Sequence, residues 1–467
     1  MPASPNASHP LERQLERAVA DPNHPTFRPL PPPIIRSAPG RVDLLGGLAR
    51  EVGGTVAHMS LPARAAAAVQ AQSGRMIHIH GPLGETNIPT EKIWAEGKLR
   101  PLTELTILPR AQPVIAVLYV LYQAVKTPAM LEGLSLQWQS QLAENIAQGT
   151  QTALFTAIAS ALVELYGIKL ESEELAVLIQ RAQGLFAPTD AHVIDALTCL
   201  LALPGPPPHV LRYSSRPHEL VGQITLPRSL QIWALNTGIR AGGVSTVQSL
   251  RLAGAMGLRI AETVYKDLGR QSTPLRGALT NLSPALYRRY FRSLLPRRMR
   301  GADFFRTFGP LPPSAGTIEP ARLYRVRTAV DHLLSENEHA EHFLQALEDL
   351  TDPANQDTPA QRQRTCLRAG RLLLASHHSY RLRLELSTPE ADFLVDRLMQ
   401  AGPGFFGARI TGPGGGGTVV ALAARSKKSQ ETLLAVISEY QKRTGIVLKV
   451  TEAGIAGSAG ATAVLSD

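Results

Sequence analysis

Apolar and polar positions along this chain repeat with changing period, and each period predicts a different element. Leu11 to Val19 has the spacing of a short amphipathic helix, and the proline run LPPPII then enters an extended segment ending at Ser37. GGTVAHMSL, ARAAAAVQAQ and MIHIHG alternate or run apolar in the manner of strands. Gln112 to Ala124 reads as a buried helix, and ALFTAIASALVELYG places apolar residues three and four apart, as a second helix requires. Ser172 stands where it would cap a third helix, EELAVLIQRAQGLF. Prolines in LPGPPPHV, Leu203 to Val210, forbid regular pairing and mark a turn or linker. Beyond it SLQIWALNTG reads as a strand and TVQSLRLAGAMGLRIAETVY as a long helix. The last third alternates helices (CLRAGRLLLASHHS, EADFLVDRLMQAG) with extended segments (GARIT, TVVALAA, GIVLKVTEAG). The order predicts an α+β chain with a change of domain between Pro204 and Ser229: a lead-in over 1–27, then domains over 28–228 and 229–467.

Size and composition agree with that reading. A chain of 467 residues exceeds one comfortable core, and 44% hydrophobic with 18% charged residues suits a folded protein rather than a disordered one. Cys199 and Cys366 supply neither a disulfide framework nor a metal-binding spacing, which favours a reducing, cytoplasmic setting. No window of 18 uninterrupted apolar residues is present, so no membrane partner is expected. The net charge of +10 suits a protein that attracts polyphosphate. Six arginines crowd into RRYFRSLLPRRMR, Arg288 to Arg300, which reads as a solvated helix and loop more readily than as a nucleic-acid face.

Three segments carry candidate chemistry. In APGRVDLLGG, Ala38 to Gly47, the glycines let backbone approach a ligand and Arg41 offers a fork of donors to phosphate. In ITGPGGGGTVVALA, Gly412 to Gly417 fits G-x-G-x-x-G, yet β-branched residues follow it where a dinucleotide fold needs a helix, so the Rossmann reading fails. The loop ENIAQGTQTA, Glu144 to Ala153, leads into a helix whose free amides and hydroxyls (Thr150, Thr152) suit a phosphate. No GxxxxGK[ST] occurs.

Together these segments resemble the GHMP sugar kinases in order and spacing, over nearly the whole chain. APGRVDLLGG resembles the opening motif APGRVNLIGEH of galactokinases and APGRLDVMGG of arabinokinases. SHHSYRLRLELSTPEADFLV, Ser376 to Val395, resembles SHxSLRxxYEVSCPELDxLV, and FFGARITGPGGGGTVVALA resembles the third family motif. The resemblance implies a two-domain GHMP kinase fold, ribosomal-protein-like in its N-terminal half and ferredoxin-like in its C-terminal half. ATP, Mg²⁺ and a small-molecule sugar would meet between the halves, with the γ-phosphoryl passing to a sugar hydroxyl, the anomeric one in galactokinases and arabinokinases. Arg41 matches the catalytic arginine, and the catalytic aspartate maps to Asp195 in VIDALT, with Asp190 as the lesser candidate. Gly149, Thr150, Gln151 and Thr152 fall at the ATP phosphate loop, and Thr152 and Gln183 at the metal positions. Asp43, Gly46, Gly47, Arg50, Gly412, Gly414 and Gly415 fall at positions facing the substrate.

The sequence departs from the family pattern close to this site. GxGLSSSA is here AQGTQTA, the expected metal-binding glutamate is Gln183, and MDQ has become IDA. The sugar-binding aspartate is replaced by Arg50 and a sugar-contacting tyrosine by Val247. Arg50 suits an anionic acceptor such as a uronic acid or a sugar phosphate. The alternative is a catalytically impaired sugar- or nucleotide-binding regulator on the same fold.

Overall fold

The computed structural model describes the chain apart from residues 1–8, 96–97, 144–146, 187–190, 202–206, 241, 243, 268–274, 313–314, 353, 356–357, 403, 413 and 455–467. Asp190 and Pro204, both singled out above, lie outside the described residues.

The N-terminal half is organised around one long strand. β1 (Ile34–Leu45) runs antiparallel to β2 (Thr55–Gln72), from Ile34 opposite Val69 to Leu45 opposite Ala57. The chain therefore stays extended through APGRVDLL, well beyond Ser37. β3 (Met76–Gly81) and β4 (Gly84–Pro89) form a hairpin, and β3 lies parallel to β5 (Gly133–Ser140). β5 pairs with the Ala65–Gln72 end of β2, while β6 (His209–Ser215) pairs with its Thr55–His58 end and carries β7 (His218–Thr225) at the edge. The sheet order is β4-β3-β5-β2-β6-β7, with β1 also on β2.

The alanine run in β2 is explained by what covers it. Side chains alternate across a strand, and here both faces are covered. Ala66 and Ala68 pack under Leu11, Leu15 and Val19 of α1 (Pro10–Val19), while Ala65 and Ala67 join the main core on the other face. That core is filled by α2 (Gln112–Val125), α3 (Thr150–Leu165), α4 (Ser172–Gln183) and α5 (Val193–Leu201). Ser172 is the first residue of α4 rather than its cap. Glu171 takes that place in a reciprocal capping box with Glu174.

The C-terminal half holds a four-stranded antiparallel sheet of β8 (Leu230–Asn236), β9 (Phe405–Ile410), β10 (Thr418–Ala424) and β11 (Lys449–Glu452) in the order β9-β10-β8-β11. Its helices are α6 (Val244–Asp267), α7 (Gly301–Phe308), α8 (Val326–Thr351), α9 (Pro359–His378), α10 (Pro389–Gln400) and α11 (Lys427–Thr444). Two hydrophobic cores result. β8 serves both, with Ile232 and Ala234 in the first and Leu235 in the second. α8 does the same lengthwise: Val326 to Leu334 lie in the second core, Ala340 to Leu350 in the first. Within the described residues no helix is long and apolar enough to cross a membrane.

Candidate functional site

Asp195 stands in the first turn of α5, where a carboxylate is favoured by the helix dipole. Its Oδ2 accepts the His192 N–H at 3.2 Å while the Asp195 N–H returns to the His192 carbonyl at 3.0 Å, so the turn fixes the side chain. Oδ1 takes two guanidiniums, Arg41 Nη2 at 2.7 Å and Arg50 Nη1 at 2.9 Å. Arg41 and Asp195, paired in the sequence only by resemblance, are thus in direct contact and almost fully buried. Burial alone would raise the Asp195 carboxyl. The guanidiniums of Arg41 and then Arg50 more than reverse this and hold it below the ordinary carboxylate range.

Arg41 is set at a bulge in β1, and its N–H donates to the Gln148 carbonyl at 2.9 Å. The loop ahead of α3 therefore lies against it. Gly149, at φ +70, is the N-cap residue of α3, and a Cβ there would come 2.9 Å from Arg41 Cγ. No side chain caps α3, and among the described residues nothing claims the N–H groups of Thr150, Gln151 or Thr152. Arg41 Nε is likewise buried without a hydrogen bond. Open helix-start amides beside a buried, unsatisfied guanidinium N–H fit a phosphate group.

The expected metal positions also meet, with the Thr152 hydroxyl donating to Gln183 Oε1 at 3.0 Å. Both groups are neutral, and the hydroxyl is spent on the amide oxygen while Gln183 Nε2 stays buried without a partner. Among the described residues no three His, Cys, Asp or Glu side chains gather as a metal site. A hard divalent cation prefers anionic oxygens, so this pair does not make a protein-held Mg²⁺ site.

Other expected contacts have a packing role. Asp43 is fully buried beside Arg409 (3.7 Å) and accepts no hydrogen bond on either carboxylate oxygen. Burial pushes its carboxyl up to about 6 against the pull of Arg409. Arg409 also faces Glu336 at 3.5 Å and donates to the Leu44 carbonyl at 2.8 Å, and Glu336 accepts the Gly46 N–H at 3.1 Å. This cluster ties β1 to α8 and β9. Gly46 and Gly47 are required by crowding: a Cβ would fall 2.1 Å from the Thr55 carbonyl oxygen at the first and 1.9 Å from Asp43 Oδ2 at the second.

Two donors of the glycine loop go to the protein. The Gly415 N–H goes to the Leu386 carbonyl, that of Gly417 to Ile239, and the Gly415 carbonyl accepts from Gly242. Gly412 approaches the loop ahead of α3: a Cβ there would sit 3.1 Å from that of Ala147, and the Gly412 carbonyl accepts the Tyr380 hydroxyl. Gly414 lies against the Leu386 carbonyl, 2.4 Å from where a Cβ would sit. His377 is buried between Asp392 (3.3 Å) and the Ile410 N–H, a structural role.

Beyond Arg50 a cavity of about 370 Å³ opens between α6 and the β6–β7 turn. Arg50, Arg216, Arg251 and Arg259 line it against two carboxylates, Glu51 and Glu262, together with His192 and His218. Burial lowers both imidazoles and keeps them neutral, so the cavity is net cationic. Sequence reading missed Arg216, Arg259 and His218 because they come from separate elements with no shared motif. It also missed His58, whose Nε2 lies 4.0 Å from Asp195 Oδ1. The available signal was its place in the strand facing the first motif, where it pairs with Asp43.

Comparison with known proteins finds kinase relatives and kinase folds. The family model described as GHMP kinases C terminal matches residues 363–443. The L-arabinokinase of Arabidopsis thaliana is 24% identical over 70% of this chain, which spans only 33% of that longer protein. The galactokinase of Chloroflexus aggregans is 26% identical, with 90% of this chain and 91% of the relative covered. Among solved structures, Lactococcus lactis galactokinase complexed with galactose superposes with a TM-score of 0.70 at 16% identity, over 95% of this chain and 98% of its own. Methanococcus jannaschii mevalonate kinase follows the same fold at a TM-score of 0.56 and 12% identity, over 91% and 99% of the two chains. In its C-terminal signature, its kinase relatives and its α+β, two-domain architecture, the chain is similar to the GHMP kinase superfamily.

Proposed function

We propose that this protein transfers the γ-phosphoryl of ATP to a hydroxyl of a small anionic sugar. The observation that carries the reading is the 2.7 Å pair between Arg41 and Asp195, set between open α3 amides and a cationic cavity. The amides of Thr150 to Thr152 and the Arg41 guanidinium bind and orient phosphate oxygens. Arg41 then offsets charge that grows on the transferring group. Asp195 positions the acceptor hydroxyl and takes its hydrogen bond. Its low basicity is tolerable because a loose phosphoryl-transfer transition state asks little of a base. The anomeric hydroxyl is the acceptor position that the galactokinase and arabinokinase resemblance suggests.

The anionic character of the acceptor rests on Arg50. A guanidinium in the position of a sugar-binding carboxylate repels hydroxyl-donor recognition and favours carboxylate or phosphate. Arg216, Arg251 and Arg259 extend the same field along the cavity. Galacturonic acid, glucuronic acid, galactose and arabinose, offered with ATP, test this by ADP release. Turnover confined to an acidic sugar and lowered roughly 10²–10⁴-fold in Asp195→Asn is the expected result. A second reading, a nucleotide-sensing protein without turnover, is favoured by the neutral Thr152–Gln183 pair and by the double clamp on Asp195. ATP binding by calorimetry with no turnover on any sugar selects it. Absence of both binding and turnover defeats both readings.

A further inference from the structure

The basic stretch Arg288 to Arg300 does more than decorate the surface. It folds back on the start of α8 and lines a half-open cavity of about 380 Å³ with Arg292, Arg297, Arg298, Arg325 and Arg327, the carboxylate of Asp331 among them. This cavity shares no lining residue with the one beside Arg50. Three of its arginines are fixed in place. Arg292 grips Asp331 with both Nε and Nη2 at 2.9 Å, Arg325 spans Glu385 (3.2 Å) and the Arg383 carbonyl (2.7 Å), and Arg327 donates to the Leu295 carbonyl at 2.8 Å. Arg297 and Arg298 are exposed and have no hydrogen bond or ion pair among the described residues.

The balance of charge leaves the cluster incomplete. Asp331 is already engaged by Arg292 and by the Tyr287 hydroxyl at 2.8 Å, and Glu385 answers Arg325 from outside the lining. Like charges held at close range repel, and fixed guanidiniums around a concavity are relieved when an anion enters. α8 begins here without a side-chain cap, and Thr328 of its first turn lines the cavity. An adjoining hollow of about 230 Å³ shares Arg292 and Asp331 and adds Arg288, Arg383 and the carboxylate of Glu338, which lies 3.5 Å from Arg288 and leaves three guanidiniums against two carboxylates. Two cationic hollows with a common wall suit a ligand bearing anionic groups at both ends.

We propose that this cavity is a binding site, separate from the Asp195 cleft, for a small ligand carrying two or more phosphoryl groups. Guanidinium forks match phosphate oxygens two at a time, and the volume suits a metabolite. A nucleic-acid strand fits less well, since single strands bind by stacking on aromatic faces. The cavity lining has none, and the exposed Tyr290 beside it carries Arg289 over its ring, 5.1 Å from the centroid.

The test uses pyrophosphate as probe, at about 0.15 M salt so that diffuse attraction is screened. Arg297→Ala/Arg298→Ala is the variant, chosen because neither side chain supports the fold. Pyrophosphate is expected to shield Arg297 and Arg298 of the full chain from phenylglyoxal, read by peptide mass spectrometry. Calorimetry is expected to show one class of site weakened at least about tenfold in the double variant. Unprotected arginines, or identical isotherms for the two proteins, overturn the proposal. So does a ten-nucleotide RNA that binds roughly tenfold tighter than pyrophosphate through these arginines, which would identify a nucleic-acid face.

Discussion

Arg50 is bonded to Asp195: its Nη1 lies 2.9 Å from the same Oδ1 that receives Arg41 at 2.7 Å. One carboxylate therefore answers two buried guanidiniums, with only Oδ2 left for a further partner beside the His192 N–H. An acceptor reaching Asp195 must arrive along Oδ2 or draw Arg50 away, and an anionic group is what draws a guanidinium. The clamp and the cationic cavity beyond it thus belong to one arrangement, with Arg50 lining both.

Replacing Asp195 separates chemistry from binding. In Asp195→Asn, turnover is expected to fall by roughly 10²–10⁴-fold, the usual worth of a positioned acid–base group. ATP affinity, which the proposed site assigns to the α3 amides, is expected to hold within about twofold, since no phosphate contact is removed. Stability is expected to drop by about 3–5 kcal/mol in urea titrations, because Arg41 then loses its buried counter-ion and Arg50 keeps Glu51, 3.5 Å away, in place of the closer Asp195. A variant as stable as the parent would show that the clamp is not a buried ion pair in solution.

The sequence made some of this readable and hid the rest for a physical reason. Arg41, Gly149 and Asp195 stand in local motifs whose residue types suit phosphate chemistry, and the alternation in β2 exposes a strand at once. The cluster of Asp43, Glu336 and Arg409 gave no such signal. Glu336 sits in SENEHAEH, a polar stretch that periodicity assigns to solvent, yet it is fully buried because two cores close on α8 from opposite ends. Asp43 looked like a substrate contact through its motif neighbours. Its burial depends on Arg409, a partner 366 residues away along the chain. Long-range charge pairing has no periodicity to read.

Two buried aspartates tilt acid stability in opposite directions. The Asp43 carboxyl is raised from 3.8 to about 6 in the fold, so its contribution is fully present below the unfolded value and is lost as pH rises through 6. Asp195 is lowered, so its contribution is present above 3.8 and is lost as pH falls below it. Asp43→Asn keeps the shape and removes the first effect. Its stability is expected to equal the parent's near pH 4 and to exceed it at pH 8 by roughly 3 kcal/mol, at about 1.4 kcal/mol for each pKa unit between the folded and unfolded carboxyl. Melting curves across that range that run parallel for the two proteins would refute the assignment.

Gly415→Ala tests the reading of the glycine loop as packing. The residue holds φ +75, and a Cβ would fall 2.3 Å from the Gly242 carbonyl oxygen. Strain and overlap together are expected to cost about 2–4 kcal/mol. Because the Gly415 N–H is already bonded to Leu386, the Kd for ATP is expected to change little once the variant is folded. Lost stability with unchanged affinity supports packing, whereas a normal melting temperature with weakened ATP binding would make the loop a ligand contact.

Gln183→Glu asks what the neutral pair in the phosphate site does to metal use. In the parent, Thr152 donates to Gln183 Oε1, and the amide Nε2 is buried without a partner. Any Mg²⁺ that accompanies the nucleotide then depends on phosphate oxygens and water for its charge balance. The parent is accordingly expected to show a shallow dependence of ATP binding on free Mg²⁺. A glutamate at 183 keeps the length of the side chain and can still accept the Thr152 hydroxyl. It removes the orphaned N–H₂ and brings an anionic oxygen to the same place. Burial raises the pKa of such a carboxyl when no cation is bound, so it has a reason of its own to take one. Apparent Mg²⁺ affinity in the ATP complex is expected to rise about tenfold, following the rule that ligand charge sets affinity for hard cations. Bound Mn²⁺, followed by its electron paramagnetic resonance signal, supplies a readout independent of turnover. Equal metal dependence in both proteins would mean that position 183 does not face the nucleotide's metal, and that the phosphate site lies elsewhere along α3.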